Sequence, residues 1–295
     1  MTAQTIWSGV LPVYLFLGGL GGALLVVCAV LDVVGARRFR RSVRAAAWCA
    51  LFCLVVGVAL LLVDVRVPAR AIAFWESFVN PSSWLTRGAW LLVAAVPASF
   101  GYAFAVRGSW PGGVLRRAYA VLVALLGFCV AAYTGFLLMS AAAVPAWGTL
   151  LLPALFCASA ASSALALMHA LVWLRECKRR QSKARVLHVA SLVTSIVEAT
   201  ILVAYVLWLL YASSDTKPSA DLLLVGRYAP LFWGVAFLCG IGVPFASSLV
   251  ALAAGKDARV RSLVCAVLVL AACLALRFLI LAIGMYPPVE LVPLT

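Results

Sequence analysis

The chain has 295 residues, 66% of them apolar and only 11% charged, with a formal net charge of +14 and a mean hydropathy of +1.14. A soluble domain is about half apolar and a quarter charged, so a water-soluble globule is excluded; these residues have room for about eight or nine spans of ~20 apolar residues and little else. The basic residues cluster between apolar runs, a pattern of membrane topology and not of nucleic-acid binding.

Apolar runs read between polar punctuation predict eight spans, approximately 11–34, 45–65, 84–106, 115–140, 149–174, 187–211, 228–254 and 262–285. Runs this long and uniform predict helices, because barrel strands are short and alternating and an open sheet leaves its backbone unsatisfied in lipid. The expected fold is an all-α integral membrane protein with one domain over 1–295. Span 1 has no Lys or Arg before it and Arg37, Arg38, Arg40, Arg41 and Arg44 after it, which marks a retained span with its N-terminus outside. The loops after spans 1, 3, 5 and 7 carry 17 of the 23 Lys and Arg, the opposite side carries five, and Arg277 lies within span 8. The odd loops are therefore expected in the cytoplasm and both termini outside.

In chain order, span 1 places Tyr14 near its outer end and Gly18 and Gly22 one and two turns inward. Those glycines either let another backbone come close or leave a slot for a flat ring or an isoprenoid tail. Span 2 closes on Asp64. The stretch 65–83 that follows holds two prolines, Trp75 and Glu76, and with Arg70 it reads as a folded surface segment suited to docking a partner. Tyr133 lies in the outer half of span 4, ahead of Thr134 and Gly135. His169 and His188 fall toward the cytoplasmic ends of spans 5 and 6. Glu198 is near the middle of span 6, with Thr194, Ser195 and Thr200 nearby, either as a protonated packing residue or as part of a proton path. At ~1.5 Å per residue, Tyr14, Asp64, Tyr133 and Arg277 lie within about a third to a half of the membrane thickness from the outer face. Four polar side chains from four spans at one depth are expected to line one pocket; alternatively Asp64 pairs with Arg66, Arg70 or Arg277 to lock helices together.

Of the nine cysteines, all but Cys177 sit in apolar spans and none forms C-x-x-C, so no iron–sulfur cluster or metal site is expected in this protein. Haem between His169 and His188 is a competing expectation without a supporting pattern. A secondary transporter or proton-translocating subunit is another; paired broken helices would mark it, and only Gly242-Val243-Pro244 in span 7 has that character.

Four segments resemble the membrane subunits of the polysulfide reductase (NrfD/PsrC) type: Val13–Ala23; Asp64–Arg70 followed by Asn80–Trp90; Tyr133–Ser140 with Pro145–Trp147; and Ala275–Gly284. The resemblance implies eight helices in two four-helix bundles. It also implies a site for menaquinone or ubiquinone near the outer face, and electron exchange with a four-cluster ferredoxin-like iron–sulfur subunit docked there and thence with a molybdopterin catalytic subunit. On this resemblance the protein is non-catalytic alone, or the quinol-oxidising subunit of a multi-subunit oxidoreductase in a bacterial or archaeal cytoplasmic membrane. Tyr133 matches the quinone-binding tyrosine, Asp64 an acidic residue near the site, and Tyr14 a helix-1 position that is histidine in some relatives. The position one turn before Tyr14, polar in relatives, is Leu11 here.

The residue chemistry agrees. A quinone is a flat apolar ring with two carbonyl acceptors and suits an apolar slot with one or two donors. Tyr133 and Asp64 are the expected catalytic pair, Tyr133 as hydrogen-bond partner and Asp64 as proton acceptor. Tyr14, Gly18 and Arg277 are the remaining expected quinone contacts.

Overall fold

The computed structural model describes residues 2–3, 9–34, 39–64, 84–107, 114–141, 143–176, 185–254 and 259–286. The protein is an all-α integral membrane protein: among the described residues, eight helices are long and apolar enough to cross a membrane. Spans 1 to 6 are α1 (Leu11–Val33), α2 (Arg40–Asp64), α3 (Trp84–Arg107), α4 (Val114–Met139), α5 (Leu151–Arg175) and α6 (Arg185–Tyr211). A short helix, α7 (Lys217–Leu224), lies between spans 6 and 7. Span 7 is a π-helical segment, Leu231–Gly242, that passes into α8 (Val243–Ala254), and span 8 is α9 (Arg259–Ala282). A two-residue strand β1 (Thr2–Ala3) pairs antiparallel with β2 (Met285–Tyr286), which ties the two terminal regions to the same end of the helices.

The helix bounds depart from the apolar runs in one systematic way. Spans 2 and 8 begin at Arg40 and Arg259, several residues before the runs at 45 and 262. A hydropathy reading stops at the last apolar residue, whereas the helix continues while long arginine stems lie along it and lift their heads to water. The π-helical half of span 7 ends beside Pro244. Proline lacks the N–H that an α-helix would donate to the carbonyl four residues back and crowds that carbonyl, so a wider register ahead of it avoids the conflict.

Spans 1, 2, 3 and 4 pack in a closed ring, each on the next and 4 back on 1; spans 5, 6, 7 and 8 do the same. The rings meet mainly where span 5 touches spans 1, 2 and 4 and where span 1 touches span 8. Spans 1 and 5 are the most buried helices, and their composition explains why. Span 5 turns Ala158, Ser159, Ala160, Ser162, Ser163 and Ala164 inward, small residues that let neighbours approach. The glycines of span 1 face different neighbours: Gly21 meets Leu54 and Ala50 of span 2, Gly22 meets the backbone of Gly127 in span 4, and Gly19 meets Arg277 of span 8 and Ala160 of span 5. Large apolar side chains such as Phe52, Phe100, Leu125, Phe128, Ile196 and Leu238 remain exposed around the outside, the surface expected against lipid tails.

Candidate functional site

At the end of the helices that carries the terminal strands, the first ring holds a pair of buried phenols. Tyr14 of span 1 donates a hydrogen bond from its hydroxyl to that of Tyr133 in span 4, at 3.2 Å, and each residue is only 2% exposed. The Tyr-Thr-Gly sequence that places Tyr133 is explained residue by residue. The Tyr133 ring lies directly on Gly88 of span 3, where a Cβ would overlap its ring carbons and hydroxyl. Thr134 donates back to the Ala131 carbonyl at 2.7 Å, and its methyl stands 3.5 Å from where a Cβ on Gly18 would be. Gly135 lets the backbone of span 4 sit against Pro153 of span 5. One turn further toward the terminal end, Phe136 stacks on Trp84, with centroids 4.8 Å apart and planes 4° from parallel. The Arg87 guanidinium covers Trp84 at 4.9 Å.

Gly57 of span 2 approaches the Tyr14 carbonyl and the Gly18 nitrogen. Asp64 closes that helix two turns further on; its side chain lies outside the described residues, as do Arg66, Arg70, Trp75 and Glu76 of the expected docking segment. Gly18 is a packing position against Thr134 and span 2.

Arg277 is not brought into the phenol pair. It is fully buried at the junction of the rings, where Nε donates to the Leu15 carbonyl (3.3 Å), Nη1 to Ser159 Oγ and to the Cys273 carbonyl (both 3.0 Å), and Nη2 to the Phe156 carbonyl (3.4 Å). The guanidinium also lies 5.0 Å from the Phe156 ring centroid. Of the four polar residues expected at one depth, Tyr14 and Tyr133 meet in the first ring, and Arg277 hydrogen-bonds within a polar group at the junction of the rings. Glu198 is buried in span 6 and accepts from Ser162 Oγ at 2.5 Å. Ser162 lies one turn along span 5 from Ser159, which donates no bond to Glu198 but accepts from Arg277.

The imidazoles of His169 and His188 lie against each other with centroids 4.4 Å apart. Atoms in van der Waals contact already stand ~3.5–4.0 Å apart, so this pair leaves no room for a haem macrocycle between its rings. Among the described residues, no three His, Cys, Asp or Glu side chains gather to hold a metal ion.

Sequence reasoning missed three structural ties. Trp147, fully buried in the Pro145–Trp147 turn, donates from its indole to the Ile280 carbonyl at 2.8 Å, and its ring fills the space above Gly284. Tyr205 donates to the Ala146 carbonyl of the same turn at 3.0 Å. At the opposite end, Glu176 after span 5 accepts from the Arg41 and Ser42 amides (3.0 and 3.1 Å) and from Ser42 Oγ (3.2 Å), capping span 2 from the neighbouring ring. The aromatic Pro-Ala-Trp motif was a usable signal for the first; a lone Glu after a helix gave none.

A family model described as polysulfide reductase matches residues 1–288. The C subunit of the polysulfide reductase of Wolinella succinogenes is 29% identical over 304 aligned positions, which span 95% of the present sequence and 94% of that protein.

Proposed function

The protein belongs to the polysulfide reductase family, and from that premise we propose that it is the quinol- or quinone-binding membrane anchor of a multi-subunit oxidoreductase. The observation that carries the reading is the pair of buried phenols, Tyr14 and Tyr133, joined hydroxyl to hydroxyl near the helix ends and both part of the apolar core. A flat ring with two oxygens fits such a donor set, since it needs few polar partners and an apolar surround. When bound, the quinol or quinone supplies the two-electron chemistry, and the protein supplies position and proton traffic.

With Tyr14 donating to Tyr133, the Tyr133 proton is left to point at a ring oxygen. Tyr133 thereby orients the ring, and Tyr14 fixes Tyr133. Asp64, at the end of span 2, serves as the carboxylate that takes up protons released on quinol oxidation and passes them to water. Electrons are exchanged with a four-cluster ferredoxin-like subunit docked on the segment containing Arg70, Trp75 and Glu76, and through it with a molybdopterin catalytic subunit. The setting is a bacterial or archaeal cytoplasmic membrane with both termini outside. In the assembled complex, Tyr133→Phe and Asp64→Asn are expected to abolish quinol-dependent turnover while leaving activity with an artificial electron donor intact. Normal quinol turnover in both variants refutes the site.

A second reading rests on one observation: the hydrogen bonds of Glu198 to Ser162 and of Arg277 to Ser159 place a carboxylate and a cation on one face of span 5. A carboxylate so placed can take up and release a proton within the second ring. Quinol-driven acidification across proteoliposomes, lost in Glu198→Gln, tests it.

A further inference from the structure

Gly88 is the residue on which the phenol pair leans, and it is not itself a hydrogen-bonding group. The ring and hydroxyl of Tyr133 occupy the volume that any larger residue at 88 would need. Span 3 cannot simply move aside: one turn before Gly88, Trp84 is stacked on Phe136 at 4.8 Å, and Phe136 lies one turn after Tyr133. Two contacts on successive turns, Gly88 with Tyr133 and Trp84 with Phe136, therefore fix the face that span 3 presents to span 4. On the far side, the backbone of span 4 is held against Pro153 at Gly135. The Tyr133 ring is confined between these walls with its hydroxyl 3.2 Å from that of Tyr14. An added methyl at 88 meets the Tyr133 ring before anything else, and that ring would swing off its present position and away from Tyr14.

We propose that Gly88 is a positioning residue of the quinol site, acting through Tyr133: the missing side chain at 88 is the seat that holds the phenol where it meets both Tyr14 and the ring oxygen of the ligand. The proposal rests on the quinone reading above and deepens it. Arg87 and Trp84, with the guanidinium 4.9 Å from the indole ring centre, close the same turn toward the helix ends.

The test is a double-mutant cycle in the assembled complex, read as affinity for a quinol-analogue probe, 2-heptyl-4-hydroxyquinoline N-oxide, by fluorescence quenching, and as menadiol turnover. Gly88→Ala is expected to weaken probe binding about tenfold, the order of one buried hydrogen bond lost. In a Tyr133→Ala background, where no ring fills the seat, Gly88→Ala is expected to change probe affinity less than twofold. Equal losses in both backgrounds overturn the proposal, because Gly88 would then serve only general packing of spans 3 and 4. Wild-type affinity in the Gly88→Ala single variant overturns it as well. If the single variant does not assemble, the Gly88→Ala/Tyr133→Ala variant decides: recovered assembly supports the proposal and continued failure overturns it. Failure of the quinone reading is separately visible, as normal menadiol turnover in Tyr133→Phe.

Discussion

Gly127→Ala probes the seam on which the phenol pair depends. Gly22 and Gly127 bring the backbones of spans 1 and 4 into direct contact: a Cβ on Gly127 would stand 2.5 Å from the Gly22 carbonyl oxygen. Ordinary carbon-to-oxygen contacts lie at ~3.3–3.6 Å, so the helices must part by about 0.8 Å to admit the methyl. Tyr133 is six residues along span 4, about 9 Å away, and Tyr14 eight residues along span 1, about 12 Å away. If the stiff helices part together, the 3.2 Å Tyr14–Tyr133 bond opens to about 4 Å, beyond hydrogen-bonding range. Overpacking of this kind costs about 1–3 kcal/mol, and loss of the phenol contact is expected to lower quinol turnover by about tenfold. Thermal unfolding of the solubilised protein reads the first effect. Quinol turnover of the complex, with an artificial donor as control, reads the second. Gly234→Ala is the matched control, because a Cβ there meets nothing within 4 Å, and alanine in a helix is favoured over glycine by up to ~1 kcal/mol. Wild-type unfolding in Gly127→Ala refutes the backbone contact; a stability loss with undiminished turnover refutes the mechanical link to the tyrosines.

Two further predictions concern ties outside the site. Trp147→Phe removes both the donor to the Ile280 carbonyl and the part of the indole that lies over Gly284, and should lower stability by about 1–3 kcal/mol in thermal unfolding with little change in quinol turnover. Glu176→Ala removes the acceptor shared by the first amides of span 2 and Ser42 Oγ; a lost helix cap costs about 0.5–2 kcal/mol, and Glu176→Gln, which keeps an oxygen, should recover much of it in the same measurement.

Position along a helix was legible in the sequence and direction around it was not. Counting residues at a fixed rise places Tyr14, Tyr133 and Arg277 at similar heights along their helices, and in the structure the two tyrosines meet. Yet successive residues on a helix turn by about 100°, so Tyr14 and Gly19 of span 1 face directions roughly 140° apart, and Arg277 sits against Gly19. Hydropathy cannot supply that angle, because between Tyr14 and Asp32 span 1 is apolar or glycine on every side. The usual polar-to-apolar stripe that orients a surface helix is missing in a helix buried among four others. The role of Gly88, within the Asn80–Trp90 segment, was not legible for a related reason: it is set by a ring arriving from span 4, and a single glycine carries no mark of what fills the space beside it. The eight spans themselves were readable, since twenty or more apolar residues in a row leave the backbone no alternative to a helix.

The placement of Arg277 bears on how the rings are joined. A charge in the membrane interior is costly unless paired or solvated by dipoles. Of its four hydrogen bonds, two go to carbonyls of spans 1 and 5, one to its own span and one to Ser159. Helical carbonyls already accept one intrahelical bond but retain a second lone pair, so these contacts solvate the guanidinium without unwinding any helix. The room for it is made by span 1, since a Cβ at Gly19 would stand 2.8 Å from Nη2. Within the Gly-Gly-Leu-Gly-Gly run, then, Gly19 admits a cation from the second ring, and Gly22 admits the backbone of span 4 in the first. The Leu15 carbonyl that receives Arg277 is one residue from Tyr14, so the helical turn that presents the phenol is the turn that the buried cation fastens. A substitution at 277 is therefore expected to loosen the turn of span 1 that carries Tyr14, even without any contact between Arg277 and the phenol pair.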